Sequence, residues 1–275
     1  MHTSPSLSTT PSLRSLSPAA QATPVVVSPV LVLGTRLHHL TWERTLDCMH
    51  AWTAAREARV IVACNVHSLV TARLHPSFRK AIHNADLATA DGAPVAWMMR
   101  KLGCAGQARI SGPDLMWRYF EQAAQRGESI FLYGSDEHTQ ALLVERIEKT
   151  FPGLRVAGRY CPPFRELTAE EDEAAVRMIN ASGAQTVWVS LGCPKQENWM
   201  TQHRERIQAV QIGVGAAFAY HAGTVKRAPQ WMQDSGLEWL HRLVSEPGRL
   251  WKRYLVTNTL FIWWAAGQLV RSRLA

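Results

Sequence analysis

Two apolar runs that each reach glycine and then hand over to polar residues constrain this chain more than any other feature. The first is Val187-Trp-Val-Ser-Leu-Gly-Cys-Pro-Lys-Gln-Glu-Asn-Trp199, and the second is Ile212-Gly-Val-Gly-Ala-Ala-Phe-Ala-Tyr-His-Ala-Gly-Thr-Val-Lys-Arg-Ala-Pro229. Strands that close on glycine before a helix start, here at Pro194, or before a Gly-rich turn are how parallel α/β sheets build ligand sites at strand carboxyl ends. Both runs therefore point to one crevice.

The upstream chain alternates in the same sense. Thr41 to Arg59 carries Trp42, Leu46, Met49 and Trp52 at helical spacing behind an N-cap threonine, and a strand follows at Val60 to Ala63 with Asn65 at its carboxyl end. A helix over Leu69 to Asn84 leads to a short strand around Leu87 and to the Asp91-Gly92 turn. From Pro113 another amphipathic helix precedes the strand Ser129 to Gly134, with Asp136 placed to cap the next helix. A strand at Leu154 to Arg159, a helix opened by Thr168-Ala-Glu-Glu171 and a strand at Thr186 to Leu191 continue the pattern. Alternation of this kind implies a Rossmann-like α/β fold, a mostly parallel sheet with helices on both faces.

A chain of 275 residues that is 47% apolar and 19% charged can bury one sizeable α/β core. The reading divides it into a Ser/Thr/Pro-rich disordered tail over 1–24, an α/β domain over 25–237 and a basic, aromatic helical appendage over 238–275. The apolar run Val25 to Leu33 is broken by Ser28-Pro29, is too short to span a bilayer and is expected to open the fold as a strand. No secretion signal is expected. Five widely spaced cysteines without a Cys-x-x-Cys pair give no disulfide framework and no zinc pattern, so no metal site is expected. A formal charge of +8 favours an anionic partner, and its position decides which one. Arg242, Arg249, Lys252 and Arg253 precede an uncharged run, Tyr254 to Val270, that contains Trp263 and Trp264. Cations beside an aromatic run suit an interfacial helix on an anionic membrane better than nucleic acid. Removing the tail after about Pro247 is expected to leave the α/β core folded.

Several motifs in order carry a resemblance: Ala85-Asp-Leu-Ala-Thr-Ala-Asp-Gly92, Arg109-Ile-Ser-Gly-Pro-Asp-Leu115, Gly192-x-Pro-Lys-Gln-Glu-x-Trp199, Gly213-Val-Gly-x-x-Phe218, Ala222-Gly-x-x-Lys-Arg-Ala-Pro229 and Glu238-Trp-Leu-His-Arg-Leu243, with Glu246-Pro-x-Arg249. Together they resemble the WecG/TagA/CpsF family of bacterial glycosyltransferases. The resemblance spans roughly residues 30 to 255. It implies metal-independent, inverting transfer of a hexose or N-acetylhexosamine from a UDP-sugar co-substrate, without a cofactor, to a polyprenyl-diphosphate-linked acceptor. It also implies work at the inner face of the cytoplasmic membrane, in exopolysaccharide or other cell-surface polysaccharide synthesis. The oligomeric state is open, a homo-oligomer included.

Such a transfer needs a base for the attacking hydroxyl and positive charge or N–H donors for the departing diphosphate. Asp91, closing a strand before glycine and matching the family's Asp-Gly position, is the candidate base. Its bland alternative is an ordinary Asp-Gly turn, and Asp86 is the nearby competitor. No Asp-x-Asp clamp is present, which leaves the diphosphate to arginine, lysine and helix N-termini. Arg109 and the pair Lys226 and Arg227 are assigned to it, and Lys195 and Gln196 to the donor, with Glu197 as a helix cap. Asn65, Gly134, Gly192 and Gly215 complete the donor set, while Arg242, Arg249, Lys252, Arg253, Trp263 and Trp264 are assigned to acceptor and membrane. Cys193, at a helix start, is expected to have a lowered thiol pKa.

His221 follows Tyr220 where relatives that move amino sugars often carry an apolar residue, so UDP-glucose is the donor favoured here and UDP-N-acetylmannosamine the alternative. Ala63 stands where the family often has threonine, and Ala219 where aspartate commonly follows the phenylalanine. These two departures keep a catalytically inactive UDP-binding protein as an alternative. The Gly213-Val-Gly215 pattern keeps a nicotinamide-dependent oxidoreductase as another, although it comes late in the chain and lacks the final glycine of a dinucleotide fingerprint.

Overall fold

A computed structural model describes residues 29–274, so the tail expected over 1–24 lies outside the described residues. β1 (Pro29–Val32) and β2 (Thr35–His38) form an antiparallel hairpin of their own. The Val25 to Leu33 run, as far as it is described, therefore pairs with β2 and not with the main sheet. α1 (Trp42–Ala54), capped by the Thr41 hydroxyl, leads to β3 (Arg59–Cys64). The helix expected over Leu69 to Asn84 is two helices, α2 (Val66–Leu74) and α3 (Pro76–His83). Pro76 has no N–H for a continuing helix and its ring crowds the preceding turn, but it fits the first turn of a new one.

β4 (Leu87–Ala90), α4 (Ala93–Lys101), α5 (Gly112–Arg126) and β5 (Ser129–Gly134) follow, then α6 (Glu137–Thr150), β6 (Arg155–Tyr160) and α7 (Ala169–Ser182). Thr168 and Glu171 close the reciprocal capping box expected at the start of α7. β7 (Thr186–Ser190), α8 (Lys195–His203), β8 (Val210–Gly213) and α9 (Ala217–Ala222) complete the alternation. α10 (Gln230–Asp234), α11 (Glu238–Ser245) and the long α12 (Pro247–Leu274) close the described chain.

Six strands form one sheet in the order β4-β3-β8-β7-β5-β6, and every neighbouring pair is parallel. Because side chains alternate along a strand, each strand feeds both faces. Val60 and Val62 of β3, Phe131 and Tyr133 of β5, and Val187 and Val189 of β7 pack with α2, α3, α4 and α7. Ile61, Ile130, Leu132, Trp188 and Ile212 pack on the other face with α1, α5, α6 and α9. The chain moves outward from β3 to β4, crosses to β5 and β6, then returns through β7 to β8 beside β3. That reversal leaves the carboxyl ends of β4, β3, β8 and β7 side by side, where doubly wound sheets hold ligands.

α12 lies along α2, and its Phe261 and Ala265 are buried in the same core as Leu69 and Val70. Trp264 packs against that core and lies under the Arg73 guanidinium, 4.7 Å from the ring centroid. The Gln268 amide ties the helix to the hairpin, donating to Leu31 O at 2.7 Å and accepting from Leu33 N at 2.8 Å. The opposite face of α12 is exposed and apolar, with Leu255, Trp263 and Val270 in solvent. Among the described residues no helix is long and apolar enough to cross a membrane.

Candidate active site

A cavity of about 970 Å³ opens at the four adjacent strand ends and is closed from above by α11 and α12. β3 delivers Asn65, which caps α2 by accepting the Ser68 N–H at 3.1 Å. β4 delivers Asp91, whose N–H bonds the Cys64 carbonyl at 2.9 Å and so fixes the two strand ends together. Gly92 follows at φ +96°, a left-handed turn that aims Asp91 at the cavity and starts α4. Asp86 sits at the opposite end of β4, where its carboxylate accepts from Arg59, Arg204 and the Val60 N–H at 2.7–2.8 Å. Only one of the two aspartates reaches the cavity.

Burial, and next the Glu238 carboxylate, push the Asp91 carboxyl up to about 7, with Asp114 adding to the rise. Arg109 and the Asn65 side chain oppose them. A group with this pKa exchanges its proton readily at neutral pH, which suits a general base. Around it stands a charge lattice. Arg109 donates to Glu238 at 2.8 Å and lies 3.9 Å from Asp114, while Arg227 grips both oxygens of Asp114 at 2.6 and 2.9 Å. Arg109 lines the cavity, whereas Arg227 stands behind Asp114, outside the lining. Lys226 is exposed and also outside it.

Gly192, Lys195, Gln196 and Gly215, from the ends of β7 and β8, line the cavity together. The Gln196 side chain is already occupied: its Oε1 accepts the Gly215 N–H at 3.0 Å and its Nε2 donates to Glu197 at 3.0 Å. Gly134 is outside the lining because β5 is separated from β8 by β7. Its glycine is required by packing, since a Cβ there would stand 2.5 Å from the Ser190 carbonyl oxygen. The thiol of Cys193 runs against expectation. Burial, and then the neighbouring Glu197 carboxylate, push it well above the ordinary thiol range, outweighing any effect of the helix start.

On the roof, Arg242, Arg249 and Arg253 line the cavity. Arg249 pairs with Glu246, but the buried Nε groups of Arg242 and Arg253 have no hydrogen-bond partner. Lys252, Trp263 and Trp264 lie outside the lining. Trp264 belongs to the core as described, while Trp263 is 76% exposed on the outer face of α12. Glu238, Glu197 and His67 are among the cavity groups that carried no ligand assignment from sequence. Glu238 and Glu197 stood inside quoted motifs, the second read only as a cap. His67, a lone histidine in the first turn of α2, gave no signal. Burial, with Arg253 adding, pushes its pKa down to about 4, so it is neutral at neutral pH.

The model of the glycosyl transferase WecG/TagA/CpsF family matches residues 30–275. The chain belongs to that family. It is accordingly a glycosyltransferase, and Asp91, Arg109 and the stretch Lys195 to Glu197 lie together on one cavity. A relative from Bacillus spizizenii, an N-acetylglucosaminyldiphosphoundecaprenol N-acetyl-beta-D-mannosaminyltransferase, is 33% identical over 196 residues, which is 71% of this chain and 74% of the relative. Family membership also places the Gly213-Val-Gly215 pattern: it ends β8, the last strand of the sheet in sequence, instead of opening a first βα unit as a dinucleotide fingerprint does. His221, on which the glucose expectation rested, lies outside the cavity lining. It stacks on Trp117 with ring centroids 4.0 Å apart, and its Nε2 pairs with the Pro113 carbonyl at 2.9 Å.

Proposed function

We propose that this glycosyltransferase moves N-acetylmannosamine from UDP-N-acetylmannosamine to an N-acetylglucosamine carried on a polyprenyl diphosphate, with Asp91 as the general base. The observation that carries the reading is Asp91 at the cavity wall with a carboxyl held near neutrality, facing a roof of arginines with unpartnered Nε groups. The relative's activity supports N-acetylmannosamine over glucose, and His221, turned away from the cavity, gives glucose no structural support.

In this reading Asp91 accepts the proton of the acceptor hydroxyl as that oxygen attacks the anomeric carbon. The bond from that carbon to the UDP oxygen breaks, and the single displacement inverts the centre. Arg109 and Lys195 offset charge on the leaving diphosphate, while Arg242 and Arg253 hold the diphosphate of the lipid-linked acceptor. Among the described residues no three His, Cys, Asp or Glu side chains are grouped to hold a metal ion. Arginines in that role require no metal, and turnover in the presence of chelator is expected.

α12 supports peripheral docking at the inner membrane face. Its inner face packs on α2, and its outer face offers Leu255, Trp263 and Val270 beside the basic Lys252, Arg271 and Arg273. The lipid diphosphate would then enter beneath Arg249 and Arg253 without leaving the bilayer surface.

The test is a transfer assay on a prenyl-diphosphate N-acetylglucosamine acceptor with a panel of UDP-sugars. A disaccharide product from UDP-N-acetylmannosamine, and little from UDP-glucose, supports the proposal. A preference for UDP-glucose refutes the choice of sugar, and binding of UDP without turnover of any donor marks an inactive relative.

A further inference from the structure

The mechanism above leaves the carboxyl of Glu197 unused. Glu197, in the first turn of α8, is 1% exposed and lines the cavity floor. Its hydrogen bonding is fixed by a short chain of necessity. The Gly215 backbone N–H can only donate, so the Gln196 side chain must present Oε1 to it at 3.0 Å. The Gln196 amide nitrogen is then turned toward Glu197, where it donates to Oε1 at 3.0 Å. The second carboxylate oxygen, Oε2, is buried and has no partner. The Cys193 thiol beside it interacts with the Glu197 carboxyl only as a weak donor, and it accepts from the Ser68 hydroxyl at 3.7 Å.

A buried carboxylate oxygen with no donor stronger than a thiol beside it loses its hydration with little replacement, and such a group in a native protein calls for a partner such as water, an ion or a ligand. We propose that Glu197 Oε2 is a recognition contact for the nucleotide-sugar, accepting a hydrogen bond from a hydroxyl or amide N–H of the bound donor. The inference rests on the donor reading of the cavity given above. Glu197 is a binding residue in this account, separate from the base Asp91 on β4. Burial pushes its carboxyl up to about 6, still low enough to leave it an acceptor at pH 7.5.

The same chain of necessity designs the test. In Glu197→Gln the new side-chain carbonyl must face the Gln196 amide, so its NH2 group takes the place of Oε2. An acceptor becomes a donor with almost no change of shape. Binding is measured by calorimetry at pH 7.5 for the full chain and the variant, with UDP-N-acetylmannosamine and with UDP alone, and the unliganded melting temperature is recorded beside it. The expected result is a Kd for UDP-N-acetylmannosamine weakened about tenfold or more, the scale of one charge-assisted hydrogen bond, with the unliganded protein melting no lower than wild type. Equal weakening for UDP alone places the partner on the nucleotide, and weakening confined to the sugar nucleotide places it on the sugar. Cys193→Ala is the control: donor affinity there should stay within about threefold of wild type. Unchanged donor affinity in Glu197→Gln overturns the inference, as does a variant whose melting temperature falls while its affinity holds, which would make Glu197 a structural partner of Cys193. If the wild-type chain binds neither UDP nor UDP-sugar, the donor reading itself fails and this inference with it.

Discussion

Replacing Phe261 by alanine separates the two faces of α12. Phe261 is 5% exposed and sits in the core with Leu69 and Val70 of α2, whereas its near neighbour Trp263 is 76% exposed on the other side of the helix. Truncating a buried phenylalanine costs about 3–5 kcal/mol through lost transfer energy and the cavity left behind. For a chain of this size that lowers the melting temperature by roughly 6–15 °C. Trp263→Ala removes little buried surface and should leave the melt within about 2 °C, in line with typical surface changes. The same two variants should reverse order in vesicle flotation with anionic lipid. Trp263→Ala loses binding, while Phe261→Ala, assayed well below its melting point, keeps it. The tail as a whole is held by the same packing. Deleting α12 would strip Leu250, Phe261 and Ala265 from buried positions and cut the Gln268 bonds to the hairpin. Losses of about 2–5 kcal/mol for each large side chain approach the total stability of a domain. A chain cut after Pro247 is therefore expected to unfold, contrary to the reading from sequence. A melt of Phe261→Ala indistinguishable from wild type, or a cooperatively folded truncated chain, would refute this packing.

Glu238→Gln removes the carboxylate that most raises Asp91 after burial itself and frees Arg109 to lower it. Since Asp91 must be ionised to act, the acid limb of kcat/KM should lie near pH 7 in wild type and move to lower pH in the variant; an unmoved limb would detach Asp91 from the pH profile. Cys193, its thiol held protonated by burial and Glu197, should react with iodoacetamide at pH 7.5 more slowly than a free cysteine, and faster labelling would contradict the site geometry.

The fold was legible where sequence pattern and local physics agree. Runs ending at Asn65, Asp91, Leu191 and Gly215 did mark four strand ends, because glycine and polar residues stop strands whatever surrounds them. What stayed hidden was long-range. The order of the strands decides that Gly134 is too far along the sheet for the cavity, and no local signal carries that order. Arg227 and Lys226 are adjacent in sequence, but one is taken by Asp114 and the other points to solvent. Trp263 and Trp264 look alike as residues, and only the packing of α12 on α2 makes one surface and the other core. Glu197 read as a helix cap because its burial comes from the meeting of α8 with β3 and β8, which spacing within one helix cannot reveal. His221 misled because its place beside a family motif carried the glucose expectation, whereas the packing makes it a stacking partner of Trp117.

The central claim is that Asp91 takes the proton in glycosyl transfer, and turnover of Asp91→Asn tests it most directly. Asparagine keeps the shape and removes the proton acceptor, so kcat should fall by about 10²-fold or more while UDP binding stays near wild type. Stability supplies the internal control. A carboxyl whose pKa rises from 3.8 to about 7 on folding stabilises the folded state most at low pH, and that contribution is lost as pH rises through 7. At pH 8 the variant should therefore melt no lower than wild type, so a loss of turnover there cannot come from unfolding. A well-folded Asp91→Asn protein with turnover within a few-fold of wild type would contradict the account.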